Sequence, residues 1–420
     1  MKLAMSVTIG MVAFTVCDEA TAAEPLRGHH TDVAVSAETR LDWMFALANQ
    51  SPKAIPAGWL DDYESVKRSY EIFVPPGYDP KRTYPLILFI SPSARATGYR
   101  NWRPVSIKHD VIFVSPHRAG NNCPQRQRVR IVMDVLDDVR RKFNTDVDRT
   151  YIGGFSGGGR IACAIAFALP EYFGGVIPVC ASGDLQQESW LRHRVIDRLS
   201  VAHVTGEKDF NRSKVSRFRG PLLADVGVRS RVWVVPGMDH GIPGGEQLQE
   251  VYRWLDAGTQ QRQKLGRRFP ACRIPANVVR SRDEWSGDLL AEAKLRLGAK
   301  KTVFSGLMQL MGIRTRWPDL PAANEAKQIL QAYEKQADRS WEQDDIDEQQ
   351  KFLIARVRAL DAYATGDLPK QYADMRAALA GAALNLWKIV IADTKDGKTA
   401  KQAQGRIDVL QAIIDKQKNR

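Results

Sequence analysis

The stretch YIGGFSGGGR, residues 151–160, decides the fold that this sequence predicts. Its apolar start is typical of a buried strand, and the residues that follow it, 161–169, are apolar and helix-forming. A chain that turns sharply from strand to helix needs glycines beside the turn, because side chains there would collide. The stretch therefore predicts a strand, a strained turn and a helix, with the Ser156 hydroxyl projecting from the turn.

The spacing of Gly154, Ser156 and Gly158 matches the Gly-x-Ser-x-Gly pattern of a nucleophile elbow. Such a turn places the serine above the sheet, at the positive end of a helix dipole. The alternative is a glycine-rich phosphate loop, which needs Gly-x-Gly-x-x-Gly or a terminal Gly-Lys-Ser/Thr. The run ends on Arg160 and contains neither pattern, so we predict that Ser156 is a nucleophile.

Around this turn, short apolar runs alternate with longer amphipathic stretches from about residue 69 to residue 256. The alternation is typical of an α/β protein with a mainly parallel sheet flanked by helices. Together with the serine turn it predicts the α/β-hydrolase fold. The predicted strands are residues 70–74, 86–90, 111–115, 150–153, 175–179, 202–205 and 231–235, and residues 130–143 form a crossover helix.

The composition changes after about residue 259, where strand runs disappear and Ala, Leu, Lys, Glu and Gln dominate. We therefore predict a catalytic domain over residues 24–262 and an all-α domain over residues 263–420. Its helix spacing faintly resembles a tetratricopeptide array. Asn385 and Lys388 interrupt its most apolar stretch, which favours a buried helix over a membrane span. The predicted helices are residues 283–297, 303–312, 322–338, 343–363, 368–392 and 400–416.

Residues 1–23 have the pattern of a secretory signal peptide: Lys2, an apolar stretch and small residues before Glu24. A buried first helix and a membrane anchor are the alternatives. The pattern predicts a secreted or periplasmic protein, a compartment that permits disulfides. Both disulfide pairing and free buried thiols stay open for the four cysteines beyond this segment, Cys123, Cys163, Cys180 and Cys272.

The formal net charge of +13 could favour anionic surfaces. The basic residues are interspersed with acidic ones, however, and no nucleic-acid module is visible. We therefore predict a solvated basic surface and no nucleic-acid partner.

A serine hydroxyl is a weak nucleophile until a base accepts its proton. Among the seven histidines, His240 follows the last predicted strand and precedes a helix, where the chain order serine, acid, histidine places the base. His203 lies inside a predicted strand and is interpreted as a core residue. His29 and His30, near the start of the mature chain, are interpreted as solvated.

The imidazole needs an acid to orient it, and the negative charge that develops on a substrate oxygen needs backbone donors. Asp209 follows the penultimate predicted strand and is the expected acid, with Asp184 as its competitor. For the oxyanion hole we predict the N–H of Gly157 and one N–H from the loop after residues 86–90. Pro92 has no N–H to donate, so Ser93 is the predicted second donor.

Three runs carry a resemblance to a known family: GFSGGGR (154–160), TGEKD (205–209) and MDHG (238–241). The chain resembles bacterial α/β-hydrolases related to secreted polyhydroxybutyrate depolymerases and to feruloyl or acetyl-xylan esterases. The resemblance covers about residues 70–255. It implies ester hydrolysis through an acyl-enzyme and implies nothing about the helical end.

The sequence thus predicts a secreted serine esterase that acts on a small-molecule or polymer ester and needs no metal or cofactor. One alternative is a serine peptidase of the prolyl-oligopeptidase type, although those enzymes normally carry a propeller before the catalytic domain. The other alternative is a non-catalytic binding module on a hydrolase scaffold. In all three interpretations the helical domain is a candidate surface for protein or envelope contacts.

Overall fold

A computed structural model describes residues 26–418, which contain a sheet of eight strands. The predicted signal peptide, residues 1–23, lies outside the described residues, so export stays a prediction. The strands are β1 (Gly28–Ala34), β2 (Ser69–Val74), β3 (Tyr84–Ile90), β4 (Ile112–Pro116), β5 (Thr145–Phe155), β6 (Gly175–Val179), β7 (Ser200–Gly206) and β8 (Arg229–Val235).

The strand order fixes the fold class. The order across the sheet is β1-β2-β4-β3-β5-β6-β7-β8. Strand β2 pairs antiparallel with β1 and β4, and all other neighbours pair in parallel. Parallel neighbours require crossover connections, which here are helices. The predicted α/β-hydrolase fold, a mainly parallel sheet flanked by helices, is confirmed.

Both faces of the sheet are buried, as the central strand β3 shows. Leu86, Leu88 and Ile90 belong to one hydrophobic cluster, and Ile87 and Phe89 belong to another. Alternate residues of a strand point to opposite faces, so each cluster is the core of one face. The helices of this part are α1 (Phe45–Ala48), α2 (Tyr99–Lys108), α3 (Gln125–Lys142), α4 (Gly157–Ala168), α5 (Ser189–Arg198), α6 (Gly220–Asp225), α7 (Gly245–Asp256) and α8 (Thr259–Arg268). Helices α2 and α7 cover the second cluster, and α3 to α6 pack on the first.

The sequence did not predict β1, whose residues GHHTDVA are polar and mostly solvent-accessible. This strand joins the sheet through backbone pairing with β2, from Gly28 opposite Val74 to Ala34 opposite Ser69. Edge strands of this kind bury little apolar surface, so they leave little hydrophobic signal in the sequence. His29 is exposed, as expected, and one face of its ring stacks on Tyr99 with ring centroids 4.1 Å apart.

The C-terminal part is all-α, as predicted. Its helices are α9 (Arg282–Leu297), α10 (Val303–Arg316), α11 (Pro321–Glu334), α12 (Ser340–Thr365), α13 (Arg376–Asp393) and α14 (Gly397–Lys418). The single helix predicted over residues 368–392 is divided into a short 3-10 helix, Lys370–Met375, and α13. By length and hydropathy, Lys370–Asp393 could cross a membrane, and 28% of its apolar window is buried. Only one face of α13 is therefore packed, so the expectation of a buried helix is met in part.

The helical part packs tightly on the α/β part. The guanidinium of Arg316, at the end of α10, is buried and donates to Asp42 Oδ2 at 2.6 Å and to Glu171 Oε1 at 3.0 Å. Its cation also lies 4.3 Å from the ring centroid of Trp285. One hydrophobic cluster extends from Val35, ahead of β2, to Leu410 on α14. The two parts share a core, and the boundary near residue 262 stays a prediction.

The four cysteines of the described residues, Cys123, Cys163, Cys180 and Cys272, are free thiols. Cys163 and Cys180 are buried, and the other two are half-buried. Of the two interpretations left open by the sequence, the structure has the free-thiol form.

Candidate active site

The elbow forms at the junction of β5 and α4, and Ser156 occupies its tip. Its backbone has φ 53°, the left-handed region that a non-glycine residue rarely adopts. The surrounding structure enforces this conformation: a Cβ on Gly158 would lie 2.0 Å from the Ile90 carbonyl oxygen, and one on Gly154 would lie 2.5 Å from the Gly158 carbonyl carbon. These glycines let β3 and α4 approach closely enough to hold the strained serine.

His240 lies over the serine, in the loop after β8. Its Nε2 is 3.0 Å from Ser156 Oγ, and its Nδ1 is 2.8 Å from Asp209 Oδ1. The acid accepts from Nδ1–H, which leaves the Nε2 lone pair to accept the serine proton. Phe210 stacks on the imidazole with centroids 4.2 Å apart, and Phe155 lies on it at 4.9 Å. Two aromatic rings therefore restrict the orientation of the base.

Asp209 is buried in the loop after β7, and both of its oxygens accept hydrogen bonds. Besides His240 Nδ1, Oδ1 accepts the Asn211 N–H at 3.0 Å, and Oδ2 accepts the Thr205 hydroxyl at 2.6 Å. These three hydrogen bonds fix the orientation of the carboxylate. The competing acid, Asp184, lies elsewhere and forms an ion pair with Arg219. The structure thus brings together the three side chains that the sequence selected.

The two residues predicted for the oxyanion hole differ in position and in whether the backbone N–H already has an acceptor. Gly157 is the first residue of α4, directly after the serine. The N–H of Ser93 donates to Ser91 Oγ at 3.1 Å, so it already has an acceptor. Asn121, a residue the sequence reasoning did not select, lies against Gly157, with its own N–H donating to Pro92 O at 2.8 Å. Only the three-dimensional contact with residue 157 identifies it, because nothing in its local sequence marks it.

An open cleft of about 730 Å³ borders the elbow. Asn101 on α2 shapes its wall by donating to the Pro243 carbonyl at 3.0 Å, which holds the loop that follows His240. The cleft is lined by Ser91, Pro92, Ser93, Thr97, Asn101, Phe155 and Ile242. Its position beside the Ser156 turn makes it the candidate pocket for the acyl group of a substrate.

Cys180 lies beside the candidate site but has a structural contact of its own. Burial raises the pKa of this thiol to about 12, and its Sγ donates to the Gly241 carbonyl at 3.3 Å. Within the described residues, Cys180, Asp209 and His240 are a group whose ligand atoms lie close enough together to hold a metal ion. An ion there would break the His240–Asp209 hydrogen bond, so this group is better suited to orient the imidazole.

His203, interpreted as a core residue, is fully buried in β7. Neither of its ring nitrogens has a hydrogen-bond partner among the described residues. Burial therefore lowers the pKa of His203 to about 4, and the imidazole is neutral at physiological pH.

No family model matches the chain, and no curated protein matches it. Among solved structures it is similar to a thermostable esterase, with 22% identity, a TM-score of 0.36, and coverage of 45% of this chain and 59% of that one. A feruloyl esterase module from Clostridium thermocellum is 16% identical, with a TM-score of 0.33 and coverage of 46% and 82%. A puromycin-hydrolysing peptidase from Mycobacterium tuberculosis is 16% identical, with a TM-score of 0.33 and coverage of 47% and 37%. This chain therefore spans about three fifths of the esterase and a smaller share of the peptidase, and its fold assignment rests on the strand order given above.

Proposed function

We propose that this protein is a serine hydrolase that cleaves carboxylic esters through an acyl-enzyme, with Ser156 as nucleophile, His240 as base and Asp209 as the orienting acid. The observation that carries the proposal is the continuous relay from Ser156 Oγ to His240 Nε2 at 3.0 Å and from His240 Nδ1 to Asp209 Oδ1 at 2.8 Å. A hydroxyl held by an oriented imidazole is the arrangement that activates serine at neutral pH.

In the first half of the reaction, Ser156 Oγ forms a bond to the ester carbonyl carbon while its proton passes to His240 Nε2. The carbonyl π electrons move onto the oxygen, whose negative charge the N–H of Gly157 stabilises. The tetrahedral intermediate collapses, the bond to the alcohol oxygen breaks, and His240 returns the proton to the departing alcohol. The Asp209 carboxylate stabilises the imidazolium.

In the second half, water takes the place of the alcohol. His240 accepts a proton from the water as its oxygen bonds to the acyl carbon, and the bond to Ser156 Oγ then breaks. As that bond breaks, His240 Nε2 returns its proton to Ser156 Oγ, and the products are the free acid and the regenerated serine hydroxyl. The chain's own residues supply every proton transfer in this sequence.

The proposed substrate is a small-molecule or polymer ester outside the cytoplasm, in line with the secretory pattern of residues 1–23. The family that the sequence resembles includes polyhydroxybutyrate depolymerases and feruloyl esterases, so both polymer and aryl esters are candidates. The helical part is proposed to contact a protein or the cell envelope.

The experiment combines a fluorophosphonate probe with a short-chain aryl ester. We expect the probe to label the peptide that contains Ser156, and S156A to lose both labelling and turnover. S305A, which changes a serine on α10, is the control and keeps both. Turnover that survives in S156A would refute the proposal, and faster turnover of a peptidyl anilide than of the ester would refute its ester specificity.

A further inference from the structure

Two residues of the loop after β3 that line the cleft, Pro92 and Ser93, offer no free N–H to a developing oxyanion. Pro92 has no N–H, and the N–H of Ser93 is engaged with Ser91 Oγ at 3.1 Å. Attack on an ester carbonyl is strongly assisted when preorganised donors meet the new negative charge. Gly157 supplies one donor in the proposed function, so the position of the second is open.

Asn121 lies between the loop after β3 and the start of α4. Its N–H donates to the Pro92 carbonyl at 2.8 Å, which ties it to the β3 loop. Its side-chain amide faces α4: a Cβ on Gly157 would lie 1.9 Å from Asn121 Oδ1 and 3.0 Å from Nδ2. The missing side chain at residue 157 therefore makes room for the amide beside the first oxyanion donor.

The backbone that carries Asn121 is held firmly. Gly120 packs so closely on the β3 loop that a Cβ there would lie 2.5 Å from the Ser93 carbonyl carbon. The buried guanidinium of Arg128 donates to the Ala119 carbonyl at 2.5 Å and to the Ser91 carbonyl at 3.3 Å. A short side chain on a fixed backbone loses little freedom when it orients, which is a requirement for a preorganised donor.

The side-chain amide of Asn121 is also free to donate a hydrogen bond to a ligand. The residue is exposed, and within residues 26–418 its side chain makes no hydrogen bond to the protein. A half-turn of the terminal amide exchanges Nδ2 and Oδ1, which have similar size. Either end can therefore face a ligand without disturbing a protein contact.

We propose that Asn121 is a catalytic residue whose Nδ2–H is the second oxyanion donor, beside the N–H of Gly157. The proposal rests on the proposed function and assigns to a side chain the role that the sequence predicts for the Ser93 backbone. The donor acts when Ser156 Oγ bonds to the carbonyl carbon, the π electrons move onto the carbonyl oxygen and His240 Nε2 takes the hydroxyl proton. It acts again in deacylation, when water attacks the carbonyl carbon of the acyl-enzyme.

The neighbouring residue offers a matched control, because Asn122 is also an exposed asparagine. We expect N121A to lower kcat on the aryl ester by about 10² to 10³-fold with KM within about threefold, since the lost interaction exists mainly in the transition state. N122A should keep kcat within about twofold. Both variants should keep the melting temperature, because both side chains are exposed.

A second variant tests the shared space. The added methyl of G157A displaces the amide, so G157A should lose kcat much as N121A does, and the double variant should lose little more than either one. An N121A protein that keeps kcat within about threefold, or equal losses in N121A and N122A, would overturn the proposal. If the wild type shows no turnover that depends on Ser156, the proposed function itself fails. If the wild type shows such turnover and N121A keeps it, only the role of Asn121 fails.

Discussion

Replacing Asp209 with asparagine removes a charge and keeps the side-chain shape. In the structure, Oδ1 accepts from both His240 Nδ1 and the Asn211 N–H, at 2.8 and 3.0 Å. An asparagine is expected to keep its oxygen at that position, because the Asn211 N–H needs an acceptor. Its nitrogen then faces the Thr205 hydroxyl, which can rotate to accept. The imidazole tautomer is therefore preserved, and the loss of activity measures the missing charge.

The magnitude follows from Coulomb's law. A carboxylate and an imidazolium about 4 Å apart interact by about 4 kcal/mol at an effective dielectric constant near 20, and each 1.36 kcal/mol is about tenfold in rate. We therefore expect D209N to lower kcat on a short-chain aryl ester by about 10³-fold, measured by steady-state kinetics. The exposed neighbour of the base provides the control, and D239N should keep kcat within about twofold. A loss below about tenfold in folded D209N would refute the assignment of this acid.

Three further predictions concern stability. With a pKa of about 4 in the fold and about 6.5 when unfolded, His203 should cost the protein about 2 kcal/mol of unfolding free energy between pH 7 and pH 5. H203L should remove that part of the pH dependence in urea unfolding at the two pH values. G158A should lower the unfolding free energy by about 3 kcal/mol or prevent folding, whereas G381A, on a helix position with open space, should raise it by up to about 1 kcal/mol in thermal denaturation. R316A, which removes a buried cation, should cost about 3–5 kcal/mol, against about 0.5 kcal/mol or less for the exposed control R314A, measured by urea unfolding.

The unfolding free energy falls at acidic pH because the folded protein holds the His203 imidazole in its neutral form. The unfolded chain takes up a proton at His203 below about pH 6.5, while the fold holds it neutral down to about pH 4. The stabilisation is therefore complete above the unfolded pKa and is lost as the pH falls towards 4. Equal pH dependence in wild type and H203L would contradict this account. Wild-type stability in G158A would contradict the elbow geometry, and equal losses in R316A and R314A would contradict the importance of the buried ion pair.

Much of the fold is readable from the sequence, because buried parallel strands are continuous apolar runs. The run 175–179 has the same limits as β6, and the other six predicted strands lie within or overlap β2 to β5, β7 and β8. The meeting of Ser156, Asp209 and His240 was also predictable, since the carboxyl ends of parallel strands lie at one edge of a sheet. Their catalytic roles stay predictions.

The features missed by the sequence reasoning depend on contacts between distant residues. Strand β1 joins the sheet by backbone pairing, which leaves no apolar pattern. Asn121 gains its position only because the loop after β4 folds back over Gly157. The ion pair of Arg316 with Asp42 joins residues 274 positions apart, and a polar residue gives no local sign that it will be buried.

The Arg316 contacts have a consequence for any shortened form of this protein. A chain that stopped after α8 would lose the guanidinium that Asp42 and Glu171 share, so Glu171 would keep Arg194 as its cation and Asp42 would keep none. The unpaired Asp42 carboxylate would then lie beside newly exposed apolar surface, which includes the ring of Tyr172 that Trp285 now contacts. The α/β half is therefore expected to aggregate or unfold when expressed alone, and its enzymology belongs to the whole chain.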